Sequence, residues 1–388
     1  MNILFLSFVM TELQYKGIIE SDANMPSQTH KFGNGVLEIL ANSFENVDVI
    51  SFMPVSNFPR NKKIFFGRER EIVYNKKVLS LPFVNLFLVK HLTRLLSVFY
   101  FGLRFLHKNK DQVIVIHGVH SPYLVFAFIC KCIFGKDIFV IVTDPPSQVY
   151  SYEGLLTRVV KRVDRFLVKK ILKNFKGIAL TENIGRDYFP NKNVLLIDGI
   201  LNSPSVESHS CDSNKIYIVY AGLLEEDYGV SDLINAMKYI KDDKYILKIF
   251  GRGSLNLDEI SFENKNIKYF GVVDFNDLSH HYSTASILIN PRRLSLGLNK
   301  YSFPSKLIEY LSTGVPVLTT RLPAISSDLE EYFNYLDSTD PETIAQKLID
   351  LSTDPTRLKR ASLAKDYVLA TRTPKAYEKK FKSFIEGM

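Results

Sequence analysis

Three polar residues within 290–320, Ser305, Lys306 and Glu309, have types and spacing that could work together on one ligand. Ser305 and Glu309 are four residues apart, so on a helix they share a face. Lys306 stands beside Ser305 in what would be the first turn, where free backbone N–H groups and the helix dipole favour an anion. A carboxylate one turn deeper, at Glu309, is able to accept two hydrogen bonds from a vicinal diol such as a ribose. Phosphate at the helix start and sugar hydroxyls one turn on suit a nucleoside diphosphate sugar. Just upstream, Arg292 and Arg293 leave the strand-like run ILINP. An arginine fork matches phosphate oxygens, and its charge-assisted bonds are stronger than neutral ones. The plain alternative for Arg292 is a surface-loop arginine, and for Glu309 an incidental acid on a capped surface helix.

The elements that must position these residues are legible around them. Pro304 fits a first helical turn, where its missing N–H costs nothing. Gly314 suits the position just past the helix end. Leu307, Ile308 and Leu311 are expected in the core, and 315–318 reads as a strand covered on both faces.

The run FPSKLIEYLSTGVPVLTT, 303–320, resembles the donor-site helix of retaining GT-B glycosyltransferases of family four (group 1 type), in the form found in the branch that builds bacterial surface polysaccharides. The family usually has two glutamates eight residues apart. Glu309 matches the second, which binds the nucleotide ribose there; the first, which contacts the donor sugar, falls on Tyr301. The resemblance implies an α/β GT-B fold, two Rossmann-like domains whose parallel sheets face a central cleft. It also implies a glycine loop, here at Gly222, near the donor phosphates. The family's Arg and Lys there are missing, since the matching region holds Leu223, Glu225, Asp227 and Tyr228. Arg292, Arg293 and Lys306 are then the candidates to balance diphosphate charge, with Arg252 in reserve. By the same resemblance, the segment after Gly271 lines the base pocket through Val272 and Val273.

The first half alternates strand-like runs at 3–8, 47–52, 113–116, 138–142 and 177–180 with helical patterns, which implies βαβ units and a largely parallel sheet. Ligands gather at the carboxyl ends of such strands. His117 follows one strand directly, and the family has a donor-contacting histidine there; the alternative is a histidine satisfied by backbone near the core. His120 is the reserve candidate, and no acid or Cys pattern makes the pair a metal site. Asp144 leaves the next strand and could orient or deprotonate an acceptor hydroxyl, or merely cap a turn. Glu182 has similar standing. Gly33 and Gly35 precede the helical run 36–44, as a phosphate-approaching loop or as a plain glycine pair.

Over 154–176, at 100° per residue, Arg158, Lys161, Arg162, Arg165, Lys169, Lys173 and Lys176 fall within an arc of about 120°. Val159, Val160, Val163, Phe166, Leu167 and Ile171 occupy the other side and are expected to pack on the sheet. The basic stripe is then free for anionic headgroups or a lipid diphosphate acceptor, or is simply a solvated face. The stretch 86–106 is helical and strongly apolar, broken by Lys90, Arg94 and Arg104.

The whole chain has 388 residues, 46% of them hydrophobic, a net charge of +8 and a pI near 9.1, which points to two domains and an acidic partner. Cys130, Cys132 and Cys211 form no metal or disulfide framework, as in a reducing compartment. No uninterrupted apolar run reaches the length of a spanning helix, and no nucleic-acid motif accompanies the basic stripe. The expected organisation is an acceptor-binding domain over 1–199, a linker over 200–215, a donor-binding domain over 216–367, and a final helix over 368–388 returning to the first domain. The expected function is transfer of a hexose from a nucleoside diphosphate donor, UDP-sugar before GDP-sugar, to a glycan or lipid-linked glycan, with retention and no metal or other cofactor. The expected place is the cytoplasm, peripheral on the inner face of the cell membrane. The rival reading is a non-catalytic sugar-nucleotide-binding or scaffold subunit of the same fold.

Overall fold

The computed structural model describes all residues except 20–21, 23–26, 109–111, 146–153, 191, 203–213, 256, 258–263, 296 and 388. Most of the sequence-expected linker, 200–215, therefore lies outside the described residues. The chain divides into two compact units, 1–202 with 374–388 and 203–373.

The first unit contains β1 (Asn2–Ser7), β2 (Asn46–Ser51), β3 (Phe65–Phe66), β4 (Glu69–Val73), β5 (Lys76–Ser80), β6 (Phe83–Val84), β7 (Gln112–His117), β8 (Ile138–Val142), β9 (Lys176–Ala179) and β10 (Val194–Leu196). Eight of the described strands form one sheet in the order β10-β9-β8-β7-β1-β2-β5-β4. All its pairings are parallel except β4 with β5. The parallel strands are runs such as ILFL and IFVIV, buried on both faces as a helix-covered sheet requires. The hairpin β4–β5 went unread in the sequence. Its outer strand is half polar, and its turn, Tyr74 and Asn75, holds two positive φ angles of 48° and 58°, for which only Asn is a usual signal. The final helix, Pro374–Glu386, buries Tyr377, Phe381 and Ile385 in the core shared by β1, β7 and the helix Ser27–Ser43.

The second unit contains β11 (Ile216–Leu224), β12 (Tyr245–Gly253), β13 (Ile267–Tyr269), β14 (Ile287–Asn290), β15 (Val317–Thr320) and β16 (Asn334–Leu336), all parallel in the order β13-β12-β11-β14-β15-β16.

Each sheet reverses its winding once. In the first unit the chain builds outward from β1 to β2 and β5, then restarts at β7 and builds the other way. In the second, the reversal lies between β11 and β14. Ligands of open α/β sheets bind outside the carboxyl ends of the strands at such switch points. His117 ends β7, Ser7 ends β1, and Arg292 follows β14 by two residues.

Candidate active site

In the second unit, Arg292 is 5% exposed. Its guanidinium lies over the Tyr228 ring, 4.6 Å from the centroid, and Nη1 donates to the Ser302 carbonyl at 3.3 Å. Its own carbonyl accepts from Thr320 Oγ1 at 2.7 Å. Among the described residues Nε has no hydrogen-bond partner. The surface-loop alternative is therefore wrong: this is a buried cation with a spare donor, costly unless a ligand completes it. Arg293 differs. Its fork grips Asp232 through Nε at 2.7 Å and Nη2 at 2.8 Å, so its charge is already matched inside the protein. Arg252 is exposed near the end of β12.

The helix carrying the motif runs Lys306–Leu311, six residues, with Ser305 at its N-cap already in helical conformation and making no side-chain cap bond. Pro304 stands just before the N-cap and not in the first helical turn, its carbonyl accepting from Leu307 N. So short a helix has little dipole to offer an anion. Leu307, Ile308 and Leu311 are buried, as their spacing predicts. Tyr310 ties the helix to β11, its hydroxyl accepting from Ala221 N at 2.9 Å and donating to Ala221 O at 3.2 Å. Lys306 Nζ reaches Glu309 Oε2 at 3.1 Å and the Tyr282 hydroxyl at 3.3 Å. Both charged side chains stay partly open to solvent. Tyr301 is half-buried at the end of the 3-10 turn Gly297–Lys300, one residue before the Ser302 carbonyl that Arg292 holds.

Gly222 departs from its expected place. It lies inside β11, paired with Gly251, and not in a loop. The glycines let β11 and β12 run close, since a Cβ on Gly251 would sit 1.8 Å from the Gly222 carbonyl oxygen. The turn after β11 instead depends on Gly229, which sequence reading missed. Its φ is 73°, and a Cβ there would sit 1.9 Å from the Pro291 oxygen, so only glycine lets this turn meet the segment that carries Arg292. The signal was a glycine between an acidic turn and the apolar-periodic helix Val230–Ala236. Val272, 70% exposed, and half-buried Val273 follow Gly271 in the loop after β13.

In the first unit, His117 is 1% exposed, and its Nδ1 lies 3.0 Å from Ser7 Oγ, joining the ends of β7 and β1. Burial pushes its pKa down to about 4, so the ring is neutral near pH 7. The Tyr123 hydroxyl donates to the Ser7 carbonyl at 2.8 Å. Gly33 and Gly35 also depart from expectation, since both lie inside the helix Ser27–Ser43 and form no phosphate loop. A Cβ on Gly33 would approach His117 Nδ1 and Ser7 Oγ to 3.1 Å, and one on Gly35 would lie 2.2 Å from Asn202 Oδ1. The glycines bring the helix against the histidine. Their helical pattern was hidden because Gly, Asn and Gly interrupt it.

His120 occupies the N-cap position of the helix Ser121–Phe134 without a side-chain cap bond, its Nε2 3.3 Å from Arg94 Nη1. Burial and then the Arg94 charge hold its pKa well below the usual value. Asp144 is exposed just after β8, and the following residues 146–153 are outside the described set. Glu182 opens the helix Glu182–Tyr188, which Thr181 caps by accepting from Ile184 N. Among the described residues no cluster of three His, Cys, Asp or Glu could hold a metal.

Lys90 and Arg94 interrupt the apolar pattern of the helix Val89–Lys108. Both are buried. Lys90 Nζ donates to Val55 O at 2.6 Å and Asn57 Oδ1 at 3.0 Å; Arg94 Nη2 donates to Met53 O at 2.6 Å, between the Phe52 and Phe83 rings. They hold the chain that leaves β2. Burial, then Arg94, lowers the Lys90 pKa to about 7. The unfolded lysine titrates near 10.4. Between those values the unfolded chain binds the extra proton, so stability contributed at this site rises with pH. The melting temperature of the protein is expected to climb from pH 7 to pH 9 relative to that of Lys90→Met; parallel profiles in a thermal melt series would contradict the burial-shifted amine.

Residues 215–354 match the family model described as glycosyl transferases group 1. Residues 215–354 form a glycosyl transferase group 1 domain, and the chain is a glycosyltransferase. It is 24% identical over 283 residues to the capsular polysaccharide biosynthesis glycosyltransferase CapM of Staphylococcus aureus, across 64% of this chain and 72% of that one. The fold is GT-B, as in similar solved structures. Sucrose-phosphate synthase from Thermosynechococcus elongatus superposes with a TM-score of 0.67 at 14% identity, across 100% of this chain and 99% of that one. Anabaena HepE in complex with UDP and glucose gives 0.62 at 12% identity, with both chains covered in full.

Proposed function

We propose that this glycosyltransferase moves a sugar from a nucleoside diphosphate donor to a glycan or lipid-linked glycan acceptor in the assembly of a capsule-like surface polysaccharide. The observation that carries the donor reading is Arg292, a buried cation at the switch point of the second sheet with an unpartnered Nε. Arg292 and Lys306 neutralise the departing diphosphate, Ser305 binds its oxygens, and Glu309 accepts from the ribose. Val272 and Val273 flank the base, and Tyr301 takes the place of a sugar-contacting glutamate. UDP is the favoured nucleotide, in keeping with the UDP bound in the HepE structure. The group 1 resemblance assigns acceptor binding to the first unit, where buried, neutral His117 is the leading candidate residue and His120 and Asp144 are the secondary ones. Retention of configuration follows the group 1 resemblance. Charge balance by side chains makes turnover independent of added metal. Exposed Arg162, Lys169 and Lys173 favour a peripheral position on the inner face of the cell membrane.

The test is a calorimetric screen of UDP, GDP and their common sugar conjugates, followed by turnover with lipid-linked acceptors in the presence of EDTA. UDP binding with EDTA-resistant sugar transfer is the expected result. Binding without transfer to any lipid-linked acceptor would favour the non-catalytic reading, which Tyr301 also suits; no nucleotide binding would sink the donor site.

A further inference from the structure

The helix layer on one face of the first sheet is inside out. Along the helix Val89–Lys108, the buried side includes Lys90 and Arg94, while Leu92, Leu96, Tyr100 and Leu103 point outward at helical spacing, Leu96 being 61% exposed. The helix Leu155–Leu172 departs from its expectation in the same sense. Its buried arc holds Val168, Ile171 and Leu172, and Asp164 accepts from Ser121 Oγ. That rotation leaves Val159, Val163, Phe166 and Leu167 outward, Phe166 at 67%, interleaved with exposed Arg162, Lys169 and Lys170. Arg158, Lys161 and Arg165, expected in a free basic stripe, are half-buried instead. Two apolar arcs in the pattern made the rotation undecidable from sequence.

Both helices pack on the helix Ser121–Phe134 between them. Gly102 permits one approach, since a Cβ there would sit 2.5 Å from Phe126; the Ser121–Asp164 bond fixes the other. The two outward faces therefore belong to one layer, and the middle helix ends on exposed Ile133 and Phe134. An apolar face of this extent on a monomer marks an interaction surface. No helix among the described residues is long and apolar enough to cross a membrane.

We propose that this outer face inserts side-on into the headgroup–acyl boundary of an anionic bilayer. The leucines and Phe166 enter the acyl region, and Arg162, Lys169 and Lys170 extend to lipid phosphates. Charge decides the occupant. The helix Val89–Lys108 has no acid, and the helix Leu155–Leu172 has Asp164 alone, already committed to Ser121. A second copy would set these like charges against each other, whereas anionic headgroups match them. This deepens the membrane part of the proposed function: the contact is insertion and not electrostatic adsorption.

The chain has no tryptophan, so Leu96→Trp and Phe166→Trp each carry a unique reporter. With vesicles of phosphatidylcholine and phosphatidylglycerol, both are expected to shift their emission to the blue and to be quenched by acyl-brominated lipid. The signal should persist at about 0.5 M salt, where surface charges are screened within a few Å. Leu96→Glu combined with Phe166→Glu, at two exposed positions checked by circular dichroism, should lower vesicle partitioning about tenfold or more. Binding that salt abolishes, or reporters that bind unquenched, would overturn insertion while leaving adsorption standing. No binding at all would overturn both. A dimer in light scattering that the double variant dissociates, with no vesicle binding, would assign the face to a second copy.

Discussion

Replacing Arg292 with alanine is expected to lower sugar transfer from the UDP donor by roughly a hundred- to a thousandfold, the usual cost of removing one preorganised donor to a developing anion. The size of the effect follows from its setting. A guanidinium that is 5% exposed acts in a weakly screened environment, and its Nε has no partner among the described residues. Arg292 also holds the Ser302 carbonyl and stacks on Tyr228, so alanine could disturb the loop as well as the charge. Arg292→Lys separates the two. It retains a positive charge but not the fork, and it should recover part of the rate. Steady-state kinetics on variants with unchanged near-ultraviolet circular dichroism is the readout. Near-normal turnover in folded Arg292→Ala would move the phosphate site elsewhere. Arg293→Ala should act differently, by loosening its Asp232 pair and lowering stability before rate.

Replacing Glu309 with alanine is expected to weaken UDP binding at least about tenfold, since each hydrogen bond to a charged acceptor contributes about 1.5–3 kcal/mol. The sharper sign is in specificity. The wild-type protein should prefer UDP to its 2′-deoxy and 3′-deoxy analogues, and Glu309→Ala should bind all three alike. Glu309 is paired with Lys306 at 3.1 Å, so the variant also frees the lysine for the phosphates and offsets part of the loss. Lys306→Ala with Glu309→Ala closes the thermodynamic cycle. Calorimetric titration that finds the same affinity and the same preference in folded Glu309→Ala would remove the ribose from this helix.

Much of the scaffold was readable because its signals are local. Short apolar runs rich in Ile, Val and Phe are strands wherever helices cover both faces, so β1, β2, β7, β8 and β11 were evident. The motif helix was evident for the same reason, since Leu307, Ile308 and Leu311 mark its inner face within one turn and a half. The β4–β5 edge hairpin was not, because a half-exposed strand needs no apolar run, and tertiary pairing alone reveals it.

The alternating α/β order, the switch from a first to a second set of strands, and the set of polar residues at strand ends and on the motif helix can all be read along the chain. Periodicity and residue chemistry are short-range properties, and they survive in one dimension. Which of those residues meet, and in what state, emerges from the packed fold. It buried Arg292 and matched Arg293 to Asp232, sixty-one residues away in the chain. It brought Ser7 and Gly33 against His117, and it moved the tight glycine turn from Gly222 to Gly229. It also turned Lys90 and Arg94 inward and left Leu96 and Phe166 outside. Burial and pairing depend on what the rest of the chain places opposite a side chain, and that is a long-range property no local pattern contains.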